Sequence, residues 1–170
     1  MSRDKRFRTK KEKPEYDQKL LDLARVTRVV KGGRRFRFRA VLVIGNKKGK
    51  VGVGVGKGSD VSDAIKKAFD NGKKNIIIIK TDKNTIPHDV FYKQGSARII
   101  LKPAKEGRGI VAGGAVRAVV EFAGIKDIVS KSLGTSNKLN VARATLSALN
   151  SLKNSKTRTM RISSSKNETE

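Results

Sequence analysis

The stretch KGKVGVGVGKGSD, residues 48–60, has residue types that bind phosphate: glycines at 52, 54, 56 and 58, a lysine at 57, then a serine and an aspartate. Glycine-rich loops cradle phosphates through bare N–H groups, and a lysine adds charge. The spacing does not fit that chemistry. A Walker loop sets Gly, four residues, then Gly-Lys-Ser/Thr. Here Val51 stands five residues before Gly56, and Gly58 follows Lys57. The dinucleotide fingerprint needs Gly at its first, third and sixth positions. Counting from Gly52 the sixth is Lys57, and from Gly54 it is Ser59; where the acidic partner is due, the chain reads NIIIIK. What remains is a period of two. In a strand it turns Val51, Val53 and Val55 to one face and Gly52, Gly54 and Gly56 to the other. A strand face of bare glycine calls for a close-packed neighbour. The following helix and an RNA backbone both fit, the helix being the more ordinary occupant. Lys57, at the mouth of that helix, suits a phosphate in either case.

KGGRRFRFR, residues 31–39, is the sharper feature. Gly32 and Gly33 permit a tight turn, and in the strand that follows Arg35, Arg37 and Arg39 alternate with Phe36 and Phe38. One face is then guanidinium and the other aromatic. The phenylalanines are expected in the core. For the arginines, a solvated face competes with phosphate contact, and phosphate is favoured because the guanidinium fork matches it. Arg25, Arg28, Lys31 and Arg34 extend the patch, and Lys47, Lys48 and Lys50 add charge in the next turn. These residues, with Lys57, form the candidate RNA-binding set.

A second glycine loop, KPAKEGRGIVAGGAVR, holds Gly107, Arg108, Gly109 and Arg117. It reads equally as a contact loop at a helix start, for phosphate or protein, and as a plain strand-to-helix turn. His88 is the one histidine and there is no cysteine, so no metal-ligand set is expected. Glu106, Glu121 and Asp127 are scattered without a nucleophile beside them. No catalytic constellation and no cofactor site is expected, and the protein reads as a non-enzyme.

The totals agree. Forty Lys+Arg stand against 15 Asp+Glu, a net charge of +25 in 170 residues. Such an excess repels itself unless a polyanion neutralises it, and nucleic acid fits better than an anionic membrane. The absence of cysteine and of any long apolar run points to a reducing, cytoplasmic setting without a membrane partner.

These side chains need elements to hold them. Residues 1–18 read as a disordered basic arm. Strands follow at LLDLARVTRVV, FRFRAVLVIG and KVGVGV, an antiparallel meander with Gly-rich turns. A helix over SDVSDAIKKAFDNGKK starts at Ser59 or Asp60, ends near Gly72, and presents Val61, Ile65, Ala68 and Phe69 on its apolar face. NIIIIK reads as a short buried strand. Polar text around Pro87 marks a boundary between units 19–82 and 83–153. The second unit reads strand (VFYK), strand (ARIILKPA), helix (AVRAVVEFAG), strand (DIVSKSL), helix (KLNVARATLSALNSL), the last capped by Asn137 or Asn140. Residues 154–170 read as a flexible basic tail.

The segments VVKGGRRFRFRAVLVIGNKKGKVGVGVGKGSDVSDAIKKA and GSARIILKPAKEGRGIVAGGAVRAVVEFAGIKDIVSKSLGTSNKLNVARATLSAL together resemble the fifth protein of the bacterial small ribosomal subunit, from about Leu20 to about Leu152. The resemblance implies an α+β chain. Its N-terminal domain would be double-stranded-RNA-binding-like, an antiparallel sheet plus one helix, and its C-terminal domain an α+β two-layer sandwich. It implies that the Val30–Arg34 loop contacts small-subunit ribosomal RNA near the head–body junction. It implies that Gly107, Arg108, Gly109 and Arg117 face the neighbouring fourth protein at an interface tied to translational accuracy. The eighth protein would be a further neighbour, the third a possible one, and messenger RNA would pass nearby at its entry path. A free double-stranded-RNA-binding regulator is the rival reading.

Overall fold

The computed structural model describes residues 15–79, 81 and 84–152. Residues 1–14 of the expected arm, the expected boundary at 82–83 and the expected tail lie outside the described residues.

Alternation of apolar residues with glycine and arginine builds the first sheet. Strands β1 (Asp17–Val30), β2 (Gly33–Gly45), β3 (Lys50–Gly58) and β4 (Ile77–Ile78) lie in that order, all antiparallel, and helix α1 (Val61–Lys74) follows β3. β1 begins at Asp17, three residues before the strand read from sequence, and carries a bulge between Leu20 and Asp22. Among the described residues of the expected buried strand NIIIIK, Ile77–Ile78 alone form strand, and Ile78 is exposed, because β4 is an edge strand two residues long.

The second sheet has the order β5 (Val90–Gln94), β6 (Ala97–Pro103), β8 (Ile128–Gly134), β7 (Ile110–Val111). Helix α2 (Gly114–Ala123) joins β7 to β8, which run parallel, and helix α3 (Lys138–Asn150) closes the chain. β7 is absent from the sequence reading: two residues inside a glycine-rich loop show no period. Asn137 caps α3, its side chain accepting a bond from the Leu139 N–H at 3.1 Å.

Register assigns the faces. Paired residues of neighbouring strands share a side. Ala40, Leu42 and Ile44 of β2 therefore lie beside Gly56, Gly54 and Gly52 of β3, and Val41, Val43 and Gly45 beside Val55, Val53 and Val51. Helix α1 covers the glycine side. Its buried stripe is Ala64, Ala68 and Gly72. A methyl group on Gly52 would sit 2.6 Å from the Gly72 carbonyl oxygen. On Gly54 and Gly56 it would overlap backbone atoms of Ala68 and Ala64. So the helix, rather than RNA, occupies the glycine face. Close approach also changes two expectations about α1. Its innermost residues are small, with Ile65 and Phe69 only partly buried beside them. Gly72 lies within the helix against Ile44, and the helix runs on to a C-cap at Asn75.

The valine side faces the other unit. Val41, Val43, Val51 and Val53 form one continuous buried cluster with Ile99 and Leu101 of β6, Val116, Val119 and Val120 of α2, and Val141 and Leu149 of α3. At about 25 cal/mol per Å² of apolar surface removed from water, a cluster of this extent is a main stabilising contribution. The turn between β2 and β3 also closes the end of α2: the Lys47 N–H donates to the Phe122 carbonyl (3.1 Å) and the Gly49 N–H to that of Ala123 (2.9 Å). No helix among the described residues is long and apolar enough to cross a membrane.

Candidate nucleic-acid interface

β3 pairs with β2 only as far as Phe38, opposite Gly58. Beyond that point β1 and β2 continue alone through five further pairs, from Val26↔Arg37 to Val30↔Gly33, closed by the turn Lys31–Gly32. At about 3.4 Å per residue, this two-stranded hairpin extends roughly 17 Å past the third strand. Residues 31–37 are all exposed. Residues 25–37 carry five arginines and a lysine with no carboxylate, and none of the six is ion-paired among the described residues.

The two hairpin faces differ. On one, Arg28 stands directly opposite Arg35, with Arg37 and Arg39 next along β2. Like charges directly opposite destabilise a strand pair, so the isolated hairpin carries a strain that a phosphate would relieve. Arg39 closes this row. Its guanidinium lies 3.7 Å from Asp22, its Nε is buried without a partner, and Lys57 sits across from it on β3. On the other face lie Arg25, Thr27, Val29, Arg34, Phe36 and Phe38.

The expectation that both phenylalanines are core holds for one only. Phe38 packs beside Ala40, Leu42 and Ala64, whereas Phe36 is 50% exposed with the Arg25 guanidinium 4.6 Å over its ring centroid. The reason is where β3 ends: alternation placed the two rings on one side, but the covering layer stops between them.

The sequence-derived basic set therefore divides. Arg28, Lys31, Gly32, Gly33, Arg34, Arg35 and Arg37 lie on the projecting hairpin, with Arg25 and Lys57 at its base. Lys47, Lys48 and Lys50 lie at the other end of the 13-residue β2, roughly 40 Å away at strand rise. Lys47 pairs with Asp17 at 3.0 Å and shares a shallow cleft with Ile110, Arg117, Glu121 and Lys126. It thus adjoins the second candidate cluster.

That cluster is the loop between β6 and β7. Gly107 (φ +84°) and Gly109 (φ +74°) take left-handed backbone, which explains glycine at both. The loop is held from below by Asp127. This carboxylate, only 5% exposed, accepts the Gly109 N–H at 2.8 Å, and the Ile128 N–H donates to the Gly109 carbonyl at 3.2 Å. Arg117 is exposed, its Nη2 donating to the Ile110 carbonyl at 3.4 Å. The sequence reading met Asp127 only as one of three scattered acids; its support of the loop escaped notice because its partner is a backbone N–H eighteen residues away, which no side-chain spacing reveals.

Comparison with known proteins adds to this geometry. Residues 16–80 match the family described as "Ribosomal protein S5, N-terminal domain", and residues 92–161 match "Ribosomal protein S5, C-terminal domain". The chain is 57% identical over 139 residues to proteins named small ribosomal subunit protein uS5 from Campylobacter jejuni, among them those of strains 81-176 and RM1221. The alignment covers 82% of this chain and 95% of each relative.

Proposed function

The chain belongs to the ribosomal protein S5 family, and on that premise we propose that it is a structural, non-enzymatic constituent of the small ribosomal subunit, in the cytoplasm, whose projecting hairpin binds small-subunit ribosomal RNA near the head–body junction. The observation that carries this reading is the hairpin itself: five cations with Arg25 at the root, no carboxylate and, among the described residues, no ion pair, on a ribbon whose residues 31–37 are all exposed. The mechanism is electrostatic. Guanidinium forks on Arg28, Arg35 and Arg37 take phosphates, and affinity comes from counterion release and shape more than from reading paired bases. The units 19–82 and 83–153, joined through one core, give that hairpin a rigid mount.

The Gly107–Gly109 loop and Arg117 then face the neighbouring fourth protein, where the contact biases translational accuracy. The eighth protein is a further neighbour, with the third as an alternative one, and messenger RNA passes nearby. What supports the loop assignment is its exposure on a rigid base, with Asp127 fixing Gly109 from within the core.

Sedimentation of a lysate through a density gradient at raised salt tests the reading, with the chain followed by mass spectrometry. Stoichiometric migration with the small subunit is the expected result. A chain that stays near the top of the gradient and binds any RNA duplex equally well would instead support a free double-stranded-RNA-binding regulator.

A further inference from the structure

Phe36 is placed where a core residue has no reason to be. It lies on the two-stranded part of the hairpin, outside both buried clusters, opposite Thr27 and diagonal to Arg25. Its ring is half exposed, and Val29 on the same face is 76% exposed. A phenylalanine left in water forgoes most of the benefit of burial. The guanidinium 4.6 Å over its centroid makes a cation–π pair and extends the ring into a longer flat surface.

The opposite face of the same ribbon is the guanidinium row. A partner that satisfies both faces must present phosphates to one and a flat apolar group to the other. An uninterrupted RNA duplex meets only the first demand, since its bases are stacked inside and its reachable groups are phosphates and 2′-hydroxyls. RNA with an unstacked base meets both, because every base has a π face that an aromatic ring or an arginine plane accepts.

Resting on the RNA-binding reading above, we infer that Phe36 and Arg25 form a stacking platform for one unpaired RNA base, so that the hairpin selects a bulged or looped nucleotide over continuous duplex. Arg28, Arg35 and Arg37 supply the phosphate contacts common to both RNAs.

The test uses the full chain and three short RNAs: a continuous duplex, the same duplex with one bulged nucleotide, and the same bulge made abasic. A stacked base is worth roughly tenfold in affinity. The bulged RNA should bind about tenfold tighter than the duplex, and the abasic bulge should lose that advantage. Phe36→Leu should remove about the same factor from the bulge-to-duplex ratio, and Phe36→Tyr should restore it. The abasic comparison needs no substitution, so it stands even if Phe36→Leu loosens the hairpin. Equal affinity for intact and abasic bulges overturns the platform, as does a loss on Phe36→Leu that is the same for all three RNAs. Failure of the underlying reading looks different: the wild-type chain would bind none of the three RNAs in a salt-dependent way.

Discussion

Gly54→Ala separates the two meanings that the glycine run could have had. Gly54 lies opposite Leu42 beneath α1. An added methyl would overlap the Ala68 carbonyl and the Gly72 N–H, and would sit 2.8 Å from the Gly72 Cα. These are backbone atoms, so no rotamer change relieves the clash and the helix must lift. Lifting opens the seam where Ala40, Leu42, Ala64 and Ala68 are each no more than 2% exposed. Overpacking of this kind costs about 1–3 kcal/mol, and a helix that cannot yield locally belongs at the upper end. Replacing a strand glycine returns about 0.5–1 kcal/mol of backbone entropy. The net expectation is a loss of about 2 kcal/mol, or a melting point lower by about 4–8 °C for a chain of this size. Urea and thermal unfolding followed by circular dichroism measure it, with Gly32→Ala as control. A methyl there meets nothing within 4 Å and should cost under about 0.5 kcal/mol. If Gly54→Ala kept full stability yet lost RNA affinity, the glycine face would be an RNA contact and the packing argument would be wrong.

Three further outcomes follow from the same geometry. Replacing Arg28, Arg35 and Arg37 together by Gln should make the slope of log affinity against log salt shallower by about 2–3; an unchanged slope would remove these residues from the phosphate contacts. Asp127→Ala leaves the partly buried Gly109 N–H without its acceptor and should cost about 1 kcal/mol. Amide exchange at Gly109 should quicken with it, and protection equal to wild type would show that the carboxylate does not hold the loop. Arg117→Ala, at an exposed position with one long bond to Ile110, should alter misreading in a reporter assay while the isolated chain unfolds at its usual midpoint. Unfolding of the variant would instead make Arg117 a structural residue.

The first sheet works because its two sides are built for different distances. Glycine opposite Ala40, Leu42 and Ile44 lets α1 lie close, while valines on the reverse meet the larger side chains of α2, α3 and β6. Among the described residues no layer covers the hairpin, and it is where arginine replaces valine in β2.

The local pattern of residues was enough to settle what is local. The period of two set valine against glycine in β3 and arginine against phenylalanine in β2, and the register kept both. Failed motif spacing removed a nucleotide cradle, and the charge pointed to a polyanion. What lay on each face was a question of contacts between residues far apart in sequence, and only the tertiary structure decided it. The helix claimed the glycine face because a Cβ-free strand admits its backbone. Phe36 was left outside because β3 ends at Gly58, opposite Phe38. Lys47 fell far from the arginines because an antiparallel strand carries successive turns to opposite ends. Asp127 became a support for Gly109 because folding brought a buried carboxylate beneath a distant, partly buried N–H. Periodicity says which side chains share a side; the packing of layers says what that side meets.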